Sequence, residues 1–424
     1  MNRTHLLFAI AITLAPALTI AEPITLSRLN GFPLEQDAWR NYLARSQANA
    51  HADSAAVQAE VVANKRNNAL RAPSGGDFKL SHTAGDAWYA GAESKLLAEA
   101  ILSFQTPTGG WSKHLGFSKG PRQSGMQWSS QNEPGRPAHY VATFDNHSTT
   151  AEMQFLANVW LATKREDCKT GFLKGLKFIF DAQFPNGGWP QVYPLEGGYH
   201  DNITFNDDAM THVLELLSAI TRNEPCHAFL EESQRQQAAA ALAAGIHCVL
   251  KTQIVQAGRK TGWCSQHDPL TLQPDHARKM EPATLSGLES AHILRFLMTI
   301  TSPTPEIVAS IESGLRWLES AKVTGIGKTT VNGKTIYVSD ANATDVYWAR
   351  FYDLTSGQPV FPGRDGIVYD TFAAMAAKND LGYDYYTTQP GSLVTNGQKK
   401  WRKMLGLPFD KKTSLIPRYE SGHQ

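Results

Sequence analysis

Net charge is almost absent from this chain: 40 Lys and Arg stand against 39 Asp and Glu over 424 residues, leaving +1. That excludes a global field drawing the protein to nucleic acid or to a membrane surface, so a charged ligand must be met by a local patch. Beyond the N-terminus no run approaches the ~20 apolar residues that a transmembrane helix needs. Cysteine is scarce, and Cys168, Cys226, Cys248 and Cys264 fit no zinc spacing. In an oxidising compartment they can pair in three ways, and buried free thiols are the alternative. Alternating strand patterns are nearly missing, which argues against a β architecture. Hydrophobic residues at 42% and aromatics at 10% are ample for a large core.

The N-terminus has a weakly cationic start, an apolar run from Leu6 to Leu18, and the small-residue end Thr19-Ile-Ala21 before Glu22-Pro23. This is the pattern of a cleaved export signal over residues 1–21, implying a secreted or periplasmic protein. Residues 22–88 are rich in Ala, Gln, Asn and Ser. Gln36 to Asn67 reads there as a polar helix anchored by Trp39 and Tyr42, a peripheral layer. Residues 89–424 form the main body with a C-terminal tail that wraps it.

Within that body Gln105-Thr-Pro-Thr-Gly-Gly-Trp111 recurs as Gln183-Phe-Pro-Asn-Gly-Gly-Trp189, and Gln253 with Gly262-Trp263 is a degenerate third copy. The Trp-to-Trp intervals of 78 and 74 residues suit two helices plus a long loop. Apolar residues recur at helical spacing in Met153 to Trp160, Phe172 to Phe180, Met210 to Leu217, Leu242 to Leu250, Leu288 to Phe296 and Ile307 to Leu318. The expected fold is therefore all-α, an (α/α) toroid of helical hairpins with long functional loops. One exception is a small surface β-hairpin, announced by Asn332-Gly333 between the β-branched runs Lys328 to Val331 and Lys334 to Val338.

Each Gly-Trp opens a polar loop that ends just before a helix. The first carries Lys113, His114 and Asp145-Asn146-His147. The second carries Glu196, Tyr199-His200-Asp201 and Asn206-Asp207-Asp208, and the third Gln266-His267-Asp268 and His276-Ala-Arg278. Helix-start chemistry explains part of this, with Thr149 and Glu152 as a capping box and Asp207-Asp208 facing a helix dipole. Caps alone do not require Asn146, His147 and Asn206 at equivalent places. Two acidic loops meeting on one face would make an all-oxygen cluster suited to Ca²⁺. Zinc is disfavoured, because no histidine pair stands at a ligand spacing with an acidic or thiolate third member. His114, His147, His200 and His276 fit loop hydrogen bonding better than metal ligation. Lys113, Arg278, Arg350 and Arg364 lie in or beside loops poor in other cations, where Arg's planar fork suits a carboxylate. Local pairing with Asp353 or Asp365 is the plainer reading for Arg350 and Arg364. The tryptophans read as core plugs at the helix-to-loop junctions, or else as sugar-stacking platforms.

Taken together, several stretches resemble the pectate lyases of polysaccharide lyase family 10. They are Gly109 to Lys113, Thr143 to Glu152, Phe184 to Gln191, Asn206-Asp207-Asp208, Arg278 to Pro282, Tyr347 to Asp353 and Pro362-Gly-Arg364, spread over about residues 85–375. The resemblance implies a toroid whose groove cleaves polygalacturonate by calcium-assisted β-elimination, giving 4,5-unsaturated oligogalacturonides. It implies Asp145, Asn146 and Asp207 as the calcium cluster and Arg278 as the base that takes the C5 proton. Lys113, Arg350 and Arg364 would bind carboxylate and sugar, and Tyr199 is a further substrate-binding candidate. A monomer acting on an anionic polysaccharide is expected.

That chemistry has one difficult step. An arginine with a solution pKa of ~12.5 costs about 6 kcal/mol to deprotonate at pH 8. Adjacent calcium and other cations must lower that cost, so an alkaline optimum is expected. Three rivals remain at this stage. A glycoside hydrolase on the same toroid would use Asp145 and Asp207 as its two carboxylates, ~5 to 9.5 Å apart. A terpenoid cyclase-like toroid is disfavoured by the export signal and the lack of an aspartate-rich ionisation motif. A non-catalytic pectin-binding protein would bind without cleaving.

Overall fold

The computed structural model describes residues 23–32, 36–80, 85–131, 139–331, 333–378 and 384–408. The expected export signal, Asn332 of the hairpin turn and the end of the tail lie outside the described residues.

The long helices are α1 (Gln36–Ala63), α2 (Ala92–Ser103), α3 (Thr150–Thr163), α4 (Glu166–Ala182), α5 (Ala209–Thr221), α6 (Glu232–Thr252), α7 (Gly287–Leu297) and α8 (Pro305–Ser320). All six periodic segments of the main body are helices, and they pack as consecutive hairpins α3/α4, α5/α6 and α7/α8. The result is a mainly helical (α/α) toroid. Strands are short: β1 (Ile203–Thr204) pairs antiparallel with β2 (Gln266–His267), and β3 (Ile326–Val331) with β4 (Lys334–Ser339) as the expected hairpin. The polar helix α1 lies across the loop side, where Trp39 and Tyr42 meet Phe184 at 5.4 and 5.1 Å and Asp53 accepts from Thr108 N at 3.0 Å. The tail folds back through Trp401, which is buried, and an Arg402–Glu312 pair at 2.7 Å.

The repeated Gln and Gly-Trp residues are junction parts. Gln105 Nε2 donates to Gly109 O and Gly171 O, Gln183 Nε2 to Gly187 O and Ala241 O, and Gln253 Nε2 to Thr261 O and Ser310 O. Each glutamine thus ties its own loop to the second helix of the next hairpin. Trp111, Trp189 and Trp263 are fully buried, and their indole N–H groups donate to Ile101 O, Ile179 O and Val249 O in the last turns of the preceding helices. Carbonyls in the last turn have no full set of helical partners, so each tryptophan plugs the core and adds a donor to a helix end at once. Gly109 and Gly187 have φ of 111° and 92°, and a Cβ there would sit 2.3 Å from Lys174 O and 2.2 Å from Ala244 O. Only glycine combines that backbone with that approach.

A fourth junction was not apparent in the sequence. Trp348 Nε1 donates to Leu318 O at 2.7 Å, in the same relation to α8. The β3–β4 hairpin inserted between them breaks the interval that revealed the others.

Candidate active site

Backbone hydrogen bonds stitch each polar loop to the next. Thr143 Oγ1 and Phe144 N donate to Gln191 O, two residues after Trp189. Phe205 N and Asn206 N donate to Ser265 O, two residues after Trp263. The equivalent register sets two tight turns side by side, Asp145–His147 and Asn206–Asp208, each entered from a phenylalanine. Asn146 (φ 52°, ψ 38°) and Asp207 (φ 50°, ψ 31°) occupy the same left-handed position in them. Asparagine and aspartate tolerate that conformation better than other residues with a side chain.

The turns open onto a cleft of about 280 Å³ lined by Lys113, Tyr140, Asp145, Asn146, Gln191, Tyr199, Asn206, Asp207, Gln266, Arg278 and Glu281, among others. Lys113 Nζ lies 2.5 Å from Asp145 Oδ2 and 3.7 Å from the Tyr140 ring centre. Asn206 donates to Asp207 Oδ2 at 2.7 Å and accepts from Arg350 Nη2 at 3.2 Å. Arg278 is held by Glu281 through two bonds, Nε to Oε2 at 2.7 Å and Nη2 to Oε1 at 2.6 Å. His200 Nε2 meets Tyr140 Oη at 2.9 Å, and burial pushes that imidazole down to about 4, so it is neutral.

The sequence-derived candidates Lys113, Asp145, Asn146, Tyr199, Asp207 and Arg278 therefore line one cleft, with Arg350 at its edge bonded to Asn206. Arg364 does not join the lining: it stands exposed on the turn closed by Gly363 N to Ile367 O at 2.8 Å. The capping box also fails. Thr149 Oγ1 donates to Thr143 O at 2.8 Å and accepts from Trp111 N at 3.0 Å, so it makes no cap bond. Glu152 is buried instead, with its carboxyl raised to about 8 by desolvation. Asp208 turns from its helix to His292 Nδ1 at 2.7 Å. Glu281, Gln191 and Gln266 stood within the stretches singled out in the sequence but were assigned no role of their own, and Glu281 had the plainest signal, three residues after Arg278.

The cleft has the electrostatics of a cation site. Burial, then the neighbouring Asp145 and Glu289, lift the Asp207 carboxyl to about 6. Asp145 Oδ1, Gln191 Oε1 and Gln266 Oε1 are buried acceptors with no hydrogen-bond donor among the described residues. Crowded carboxylates and orphaned oxygens fit a hard divalent ion, and the His114 and Cys264 that also line the cleft are engaged elsewhere, with Asp77 and with Asp275 O.

The pectic acid lyase family model matches residues 105–394. The chain belongs to that family. It is a polysaccharide lyase. Two solved structures resemble it, both of the family 10 polysaccharide lyase from Cellvibrio cellulosa. One is an aspartate-to-alanine mutant in complex with trigalacturonic acid, 29% identical with a TM-score of 0.64, covering 74% of this chain and 95% of that one. The other is 29% identical with a TM-score of 0.63, covering 77% and 99%. A comparison with curated proteins finds no match. Membership in this family sets aside the cyclase and hydrolase readings.

Proposed function

We propose that this lyase is an exported, monomeric pectate lyase that cleaves polygalacturonate by calcium-assisted β-elimination with Arg278 as the base. The observation that carries the reading is the meeting of Lys113 and Arg278 with the oxygen donors of Asp145, Asn146 and Asp207 in one cleft. A relative bound to trigalacturonic acid supports the substrate class.

Asp145, Asn146 and Asp207 would hold the calcium, with Gln191 and Gln266 supplying further oxygens. When bound, calcium draws electron density from the substrate carboxylate, which acidifies the C5 proton α to it. Lys113, steered by the Tyr140 ring and Asp145, meets the carboxylate where charge develops. Arg350 and Tyr199 bind sugar and carboxylate oxygens nearby, and Arg364 serves a more distant sugar unit. Arg278 takes the C5 proton. The C5–H bond breaks, the C4–C5 double bond forms, the C4–O bond breaks, and the leaving oxygen takes a proton from solvent. Glu281 fixes the guanidine plane but favours its charged form, so Arg278 must first give a proton to solvent, loosening the two bonds, and the pair re-forms when the C5 proton arrives.

The test follows ultraviolet absorbance of the purified protein with polygalacturonate, with calcium and with chelator. A rise at alkaline pH that the chelator abolishes is expected. No rise with calcium present overturns the proposal, and reducing ends formed without absorbance would mean hydrolysis.

A further inference from the structure

The connection between α5 and α6 folds into a tight turn, Pro225–His227, at the far end of α5 from the cleft. Thirteen helical residues separate the two, about 20 Å at 1.5 Å per residue. Cys226 and His227 are buried at 6% and 0% exposure, with Cys226 Sγ 3.7 Å from His227 Nδ1. His227 N donates to Glu224 O at 2.8 Å, closing the turn. One ligand atom from each of Glu224, Cys226 and His227 falls within 4.8 Å of the others.

The Cys226–His227 pair stands near the spacing of ligands around one tetrahedral ion, and the Glu224 carboxylate is close enough to complete a third position by a small side-chain shift. With Zn–S of ~2.3 Å and Zn–N of ~2.0 Å, sulfur and nitrogen on a shared zinc stand about 3.5 Å apart. Arg222 Nη2 donates to Glu224 Oε1 at 2.7 Å, so the carboxylate is also anchored from the surface side. Gln154 of α3 donates to Cys226 Sγ at 3.5 Å, and Phe172 of α4 packs 5.3 Å from the His227 ring. The turn is thereby supported by the neighbouring hairpin.

We infer that Glu224, Cys226 and His227 form a second metal site, for a borderline-soft divalent ion such as Zn²⁺, that clips the α5–α6 connection. Thiolate and imidazole select against calcium, so the two sites draw on different ions. A thiol must lose its proton to ligate a metal. Binding therefore replaces the Cys226 proton, and one proton leaves per ion bound. A scan for paired Cys or His spacings passes over this set, because its members are near neighbours in sequence and become ligands only when the turn is buried.

The experiment titrates the full chain with Zn²⁺ and Co²⁺ in excess calcium, reading heat, proton release and the visible thiolate-to-cobalt absorption. One equivalent, one proton and a cobalt band are expected, with a raised melting temperature. Cys226→Ser should remove the band, and Glu224→Gln, at a half-exposed position, should weaken zinc binding by about tenfold or more. Catalysis with calcium alone should be unchanged in both variants, which separates this site from the catalytic one. The inference is overturned by no cobalt band in the folded chain, by a band that survives Cys226→Ser, or by recovery of Cys226 in a disulfide.

Discussion

The turn before α3 and the turn before α5 share one backbone and reverse one pair of residues. The first reads Phe144-Asp145-Asn146 and the second Phe205-Asn206-Asp207, with Asn146 and Asp207 at the same left-handed position. The fold demands only a residue that tolerates φ near 50°, and both qualify. Electrostatics distinguishes them. Asp145 is matched by Lys113 at 2.5 Å, while the amide Asn206 takes Arg350 and leaves Asp207 raised to about 6, first by burial and then by like charges. The repeat supplies positions, and residue order decides which carboxylate is paired with a lysine.

The comparison breaks furthest at the third loop, where no such turn precedes α7 and Ser286 caps the helix directly. That loop brings Arg278. Arg278→Lys should lower kcat by about 10³-fold or more while KM for polygalacturonate moves less than about tenfold. A loss confined to KM would make Arg278 a binder.

Within the paired turns, Asp207→Asn should cost about 10²-fold in rate and be partly recovered at higher calcium. The sharper form is the double change Asn206→Asp with Asp207→Asn, which keeps the charge and gives the second turn the order of the first. Rates across a calcium titration should remain within about tenfold of Asp207→Asn alone. Full rescue would show that the count of carboxylates matters and their place does not.

A pH measurement probes the same asymmetry. The Asp207 carboxyl rises from 3.8 to about 6 in the fold. Between those values the folded chain keeps a proton that the unfolded chain has released. The group's contribution to stability is therefore full below pH 3.8 and is lost as pH rises through about 6. Calcium should raise the melting temperature more at pH 7 than at pH 5, and Asp207→Asn should flatten that difference.

Much of this was legible in the sequence for identifiable reasons. Helical periodicity located the hairpins, and recurrence of Gln and Gly-Trp marked the junctions, because the glutamine and tryptophan repeat the same bonds and the glycine the same backbone turn. The candidates on the two turns were legible because the turn itself recurs. Glu281 was less so, since its role depends on folding back onto Arg278. Gln191 and Gln266 reach the cleft through the β1–β2 pairing and single backbone bonds, and two-residue strands leave no pattern. Thr149 misled because its hydroxyl could cap a helix or tie two loops, and tertiary contacts with Thr143 and Trp111 won.

The smallest effect separates backbone from chemistry at Asn146. Both Asn146→Gly and Asn146→Ala remove the side-chain oxygen, so both should weaken calcium-dependent activity alike. Alanine must also hold φ at 52°, at a cost of about 1 kcal/mol, whereas glycine adopts it freely. Chemical denaturation without calcium should therefore place the alanine variant about 1 kcal/mol below the glycine one. If the two unfold together, left-handed strain does not select Asn146, and the shared geometry of the two turns is a consequence of ligand placement alone.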